Sequence, residues 1–390
     1  MSITRKNISI LLGAFVLLLL PNIAFAASAQ SEPIMLINAE TVENEEWQWD
    51  AKSKILTLDG LNLKITNSEL AIALPRDEAT TIHLKGKNSI SYSGKYDTNI
   101  SAIFGGNIKI TGSGSLTINI NNTRGGAYGL NVSDLAMESG NISIKVSGKN
   151  MPTMGIVAEN AAKITGGKLS IEAKSDKRHA IGIMAYKSIA LDKADLTFNV
   201  QSKSSDAAAM VAANWQNPAD KAGIECKNSK ITIVSKAKYG AKGLLADDIQ
   251  LIGSTVSMKC TASASSVRKG NYADLGSEAV GLQSTNAMSI QNCQTNIGVK
   301  AKKVFAAAIW GQGEITIDGG NTVLSGSTYA AIGNKGIIVK NAELSGGETI
   351  SYGAQGDGGK LYCFAKKGSS EKLEWKGDTL VGRCTDITIK

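Results

Sequence analysis

Ala127-Tyr-Gly-Leu-Asn-Val132, Thr153-Met-Gly-Ile-Val-Ala158 and Ala180-Ile-Gly-Ile-Met-Ala185 are three versions of one six-residue motif. Ala207-Ala-Ala-Met-Val-Ala212, Ala241-Lys-Gly-Leu-Leu-Ala246, Ala279-Val-Gly-Leu-Gln-Ser284 and Ala306-Ala-Ala-Ile-Trp310 continue it. The central small residues are Gly129, Gly155, Gly182, Ala209, Gly243, Gly281 and Ala308, spaced by 26, 27, 27, 34, 38 and 27 residues. A period in the twenties that lengthens only by insertion indicates a solenoid, in which each repeat buries its apolar face against its neighbours.

Working outward from the motif, each repeat carries two more short alternating runs. The second strand is Ala162-Lys-Ile164 or Ile189-Ala-Leu191, and the third is Ile142-Ser-Ile-Lys-Val146 or Leu196-Thr-Phe-Asn-Val200. Period-2 alternation in Ile, Val and Thr marks strands, and no segment keeps a 3.6-residue apolar period. The chain is therefore read as all-β: a right-handed single-stranded parallel β-helix of about ten coils, with an N-terminal cap and a C-terminal β-hairpin. The composition agrees, since 41 Gly, only 5 Pro and 5% aromatic residues suit many thin strands.

The expected organisation is a signal peptide over 1–26, a cap and first strands over 33–63, the β-helix over 64–350 and a C-terminal cap or hairpin over 351–390. Arg5 and Lys6 precede an apolar run from Ile8 to Leu20, and Ala24-Phe-Ala26 offers a small-x-small cleavage site. That run is too short for a bilayer span and reads as a secretory signal. The mature chain is expected outside the cytoplasm, in the periplasm, at the cell surface or in the medium, with no membrane span. In the cap, Trp47 and Trp49 are expected to cover the end of the core.

Alternation assigns directions. Pairs such as Ile142 and Ile144, or Leu196 and Phe198, should point inward. Cys226 and Cys260 match inward Leu and Val positions and read as small buried hydrophobes, while Cys293 falls in a turn. Cys363 and Cys384 are the expected disulfide, since export permits one. In the motif itself the large residues, Leu130 to Ile309, should face the core. The seven small residues then line a smooth outer face, which would serve either as an interaction surface or simply as a place for a covering loop.

The loops between coils gather Lys and Arg. Lys177, Arg178 and His179 lie in one, and Lys236 and Lys238 begin another. Across all the loops fourteen Lys and Arg face four Asp. The whole chain is +8, or +6 without Arg5 and Lys6. A flat face with a cationic rim would hold an extended anionic polymer. Trp215 and Trp310 are candidates to stack on sugar rings. Catalysis is not expected. The two His, His83 and His179, have no zinc-type spacing, and the chain has no nucleophile elbow or P-loop. Its one Asp-Asp pair, Asp247-Asp248, lacks the companions that a glycan hydrolase or lyase needs.

Trp47-x-Trp49-Asp50, Leu56-Thr-Leu-Asp-Gly-Leu-Asn-Leu63, Ala71-Ile-Ala-Leu-Pro75 and Thr81-Ile-His-Leu-Lys-Gly-Lys-Asn88 carry a resemblance. With the later repeats, it extends over about Thr41 to Leu344. The chain resembles bacterial exported right-handed β-helix proteins named carbohydrate-binding domain-containing proteins. That resemblance implies polysaccharide binding without hydrolysis, with calcium in some members. Calcium has no support from the residues, because this chain is basic and poor in clustered acids. The expected partner is a polysaccharide, in particular an acidic one, and not a nucleic acid. Two other classes stand beside this expectation: a structural or adhesive surface protein, and a polysaccharide lyase-like enzyme.

Overall fold

The computed structural model describes residues 3–4, 35–37 and 44–389, except 67, 215–216, 218, 265–277, 303–304, 328, 334, 343, 346, 354–359, 367–373, 377–378 and 382–385. Beyond 342 only the backbone is described, apart from Ile389. The described residues contain no helix and wind as a parallel β-solenoid of about nine turns. They divide into two compact units. One is Leu20–Ser205 with Ala209–Ala212. The other comprises Met1–Leu19, Asp206–Ala208 and Ala213–Lys390.

A turn has three strands, as the sequence reading requires. In the N-terminal unit Thr153–Ala158, Ala161–Ile164 and Lys168–Ser175 form one turn. Ala180–Ala185, Ser188–Asp192 and Asp195–Ser202 form the next. The pairing between turns is parallel and in register: Met154 faces Ile181, Ala162 faces Ile189, and Leu169 faces Leu196. Two earlier turns fuse the first and second strands into single long strands, Asn99–Gly112 and Gly126–Met137. The C-terminal unit repeats the scheme with Ala241–Ala246, Asp248–Ile252 and Thr255–Ala262. Its later strands follow in register, Ile249 facing Met288 and Val256 facing Thr295.

The third strands alternate strictly. Asn141–Gly148 and Thr255–Ala262 bury every second residue. Ile142, Ile144, Leu196 and Phe198 are buried as expected. Each such side chain contributes about 1.5–3 kcal/mol relative to leaving it in water. Cys226 and Cys260 are fully buried, in register with Leu251 and Val299. Cys293 is buried too: its thiol donates to the Gln291 carbonyl at 3.2 Å and accepts the Ser254 N–H at 3.4 Å. Gly140 and Gly167 turn the chain into the third strand at φ of 93° and 77°, where a β-carbon would be strained.

Interior polar groups are stapled between turns. Asn122 is wholly buried; its amide donates to the Thr98 and Gly126 carbonyls at 2.9 and 3.1 Å, and its oxygen accepts the Tyr96 N–H at 3.0 Å. Asn88 similarly ties Leu61, Lys85 and Ser115. Each bond satisfies a group that would otherwise be costly to bury.

At the chain's beginning Trp47–Asp50 pairs antiparallel with Ile55–Asp59, which pairs parallel with Thr80–Lys85. Trp49 is buried there and Trp47 is half-buried. Near the C-terminus Gly347–Gly353 and Lys360–Lys366 form an antiparallel pair. Asp386–Ile389 pairs antiparallel with Asn321–Gly326. The expected pairing of Cys363 with Cys384 cannot be read here, since Cys384 and the Cys363 side chain lie outside the described residues.

One expectation is overturned. The column Gly129, Gly155, Gly182, Ala209, Gly243, Gly281 and Ala308 is not an outer face. A β-carbon on Gly129 would come 2.6 Å from Ile144 Cγ2, one on Gly182 2.6 Å from Phe198 Cδ1, and one on Gly243 2.7 Å from Met258 Sδ. At Gly155 and Gly281 the obstacles are Ile171 and Ile297. All five are buried side chains of third strands. The glycines therefore press into the core, where an added β-carbon would have to displace its neighbours. Ala209 and Ala308 are also wholly buried. The reason is local. The ladder skips the glycine, with Tyr128 facing Met154 and Leu130 facing Ile156, so alternation breaks at that point. Moreover, all six residues are buried in each of the strands Thr153–Ala158, Ala180–Ala185 and Ala241–Ala246.

Candidate functional site

Exposed Lys and Arg side chains recur where the third strand of one turn returns to the first strand of the next. In the N-terminal unit these returns continue the ladder through backbone hydrogen bonds. Lys149 N donates to Gly125 O at 2.8 Å, Asn150 N to Arg124 O at 3.1 Å, and Lys177 N to Lys149 O at 3.0 Å. Lys203 N follows, donating to Ser175 O at 3.0 Å. Successive returns are thus held at the strand spacing of about 4.8 Å.

Arg178 is fixed in this ladder. Its backbone N–H donates to Ser175 Oγ at 3.1 Å, and its carbonyl accepts Ser202 Oγ at 2.8 Å. Its guanidinium Nε reaches the Asn150 carbonyl at 3.4 Å. His179 is half-buried, with Nδ1 3.2 Å from Ser205 Oγ, a hydroxyl that orients the ring. Lys149, Lys177 and Arg178 are exposed.

Part of the unit's charge is neutralised. Arg124 pairs with Asp97 at 2.8 Å and Lys203 with Asp176 at 2.7 Å. Glu172 sits between Lys174 and Lys145. The hydrogen bond from Lys174 holds its carboxyl below the usual range. Such surface pairs contribute about 0–1 kcal/mol each. Lys95, Lys149, Lys177 and Arg178 are exposed cations of this edge, and the paired Arg124, Lys174 and Lys203 are exposed beside them.

The C-terminal unit has its own basic edge. Lys236 is in register with Thr261, which faces Lys300, and both lysines are exposed. Lys238 is exposed with its ammonium 5.4 Å from the Tyr239 ring centroid. Ala264 N donates to Lys238 O at 2.6 Å and Lys302 N to Ala262 O at 3.2 Å, so these returns stack as well.

The aromatic candidates fare differently. Trp310 is only 6% exposed. Its ring meets Phe305 edge-on at 5.4 Å, and Phe305 leans on the fully buried Tyr329 at 5.6 Å. A ring enclosed in that cluster cannot stack on a sugar, so Trp310 leaves the candidate site. Trp215 lies outside the described residues. His83 is half-buried, with Nδ1 3.1 Å from Thr111 Oγ1, remote in sequence from the returns.

The sequence reading passed over one charged group. Lys242 is wholly buried and its ammonium lies 2.8 Å from Glu278 Oε1. The signal was present in the motif, where Lys242 stands at the position that Tyr128, Met154 and Ile181 occupy. Among the described residues no three His, Cys, Asp or Glu side chains converge as metal ligands. No family model, curated protein or solved structure matches this chain.

Proposed function

We propose that the mature chain is a non-catalytic, exported polysaccharide-binding protein that holds an acidic glycan against its stacked basic returns. The observation that carries this reading is the backbone ladder that stacks the returns holding Arg124, Lys149 and Lys177, with exposed Lys149 on one turn and exposed Lys177 and Arg178 on the next. A repeating row of cations suits a ligand that also repeats its charge, and a fixed backbone lowers the ordering cost of binding. The small-residue face and Trp310 no longer support the reading. It rests on charge, and on the resemblance of the opening segment to carbohydrate-binding domain-containing proteins.

An array of acidic and neutral glycans tests it. The reading expects signal on carboxylated or sulfated chains that disappears in high salt, because exposed charges are screened beyond about 10 Å at 0.1 M. Binding confined to neutral glycans and indifferent to salt would overturn it.

A further inference from the structure

In the N-terminal unit the bends between second and third strands of four successive turns line an open groove of about 680 Å3. That volume falls within the range of about 300–1,000 Å3 spanned by small-ligand sites. At Gly112, Gly140 and Gly167 the groove presents backbone and no side chain. Its chemical groups come from Ser139, Asn141, Lys168, Lys193 and Asp195. Three of these share one ladder column, in which Asn141 faces Lys168 and Lys168 faces Asp195.

The groups are available to a ligand. Elsewhere in the unit exposed charges close on a neighbour: Lys109 pairs with Glu138 at 2.8 Å and Lys203 with Asp176 at 2.7 Å. Lys168 and Asp195 are ladder partners, yet among the described residues neither they nor Lys193 form an ion pair. Asn141, Lys168 and Lys193 are exposed, and Asp195 is half-buried. Ser139 Oγ accepts the Gly112 N–H at 3.0 Å, which leaves the hydroxyl proton to donate. Two ammoniums against one carboxylate give the groove a surplus of positive charge. An acidic sugar matches that set, because it carries one anionic group and several hydroxyls that both donate and accept.

We propose that this groove is a second saccharide site, which takes one or a few acidic sugar residues. Lys168 and Lys193 hold the sugar's anionic group. Asp195 accepts from its hydroxyls, and Ser139 and Asn141 donate to them. The ligand class rests on the reading above, but the residues are different ones. The strand Lys168–Ser175 lies between the groove and the return that holds Lys177 and Arg178. Its eight residues span about 26 Å, so the groove and the returns act as separate contacts.

Titration of the full chain with trigalacturonate, followed by the backbone amide NMR signals of Gly140 and Gly167, tests this. Wild type should show saturable shifts at both glycines. The uncharged methyl ester of the same trisaccharide, and acetate, which has the charge without the ring hydroxyls, should each bind there roughly fivefold more weakly. Lys168→Gln/Lys193→Asn should weaken trigalacturonate binding by a similar factor. Asparagine suits the left-handed backbone of Lys193, at φ 53°, so the variant keeps the bend. The Lys177 amide reports the returns independently, so either site can fail without the other. Absence of shifts at the two glycines in wild type would overturn the proposal. So would equal affinity for the methyl ester or acetate, or unchanged affinity in the double variant.

Discussion

At the residue scale, the glycines of the first strands decide how near the opposing walls can come. A β-carbon on Gly129 would meet Gly155 O at 2.5 Å and Ile144 Cγ2 at 2.6 Å. Gly129→Ala should therefore cost about 1–3 kcal/mol by overpacking, measured by denaturant unfolding. An exposed glycine would show almost no change. The buried thiols make a second prediction. Burial drives the Cys226 pKa well up and that of Cys260 to about 12, so neither should react with a thiol reagent at pH 8 while the protein is folded. The sign of the linkage follows. Above the unfolded thiol value of about 8.5 the unfolded chain releases protons that the folded chain retains, so stability should fall as pH rises through 9 and 10. Unfolding midpoints across that range check it. The same residues show the limit of counting along a sequence. Period-2 counting places Leu130 in the core, as observed, but puts Gly129 on the wrong side, because a kink that skips one ladder position is invisible to it. Trp310 was misjudged for a related reason. Nothing in its own strand reveals that Phe305 and Tyr329 enclose it.

At the scale of the element, the third strand is the most legible part of the chain and the most regular. Asp195–Ser202 buries Leu196, Phe198, Val200 and Ser202 on one side. Its alternation is unbroken, so sequence alone gives strand, register and direction. Phe198→Ala should cost about 3–5 kcal/mol, since the ring sits against the Gly182 backbone and no neighbour can move in to refill the space. Chemical denaturation measures this directly. A loss below about 1 kcal/mol would mean that the site collapses and that the wall is softer than its packing indicates. The first strand was legible as a repeat but not as a surface, because burial of all six of its residues erases the polar-apolar contrast that a reader depends on. The returns were legible as basic from their Lys and Arg. Their stacking through Lys149 N to Gly125 O and Lys177 N to Lys149 O needed the structure.

At the scale of the whole molecule, net charge and repetition together carry the functional account. A chain of +8 with 43% hydrophobic residues can bury a large core and still keep a cationic surface. Regular turns convert a few lysines per return into a row, and a row is what an extended polyanion can recognise. The central claim is that the exposed cations on successive returns bind such a polymer. The most direct test is the salt dependence of affinity for polygalacturonate, compared between wild type and Lys149→Gln/Lys177→Gln/Arg178→Gln. Each exposed cation is worth about 0.2–1 kcal/mol, so the triple variant should bind roughly tenfold more weakly at low salt, and its affinity should fall less steeply as salt rises. Equal affinity and an equal salt slope in the two proteins would contradict the account.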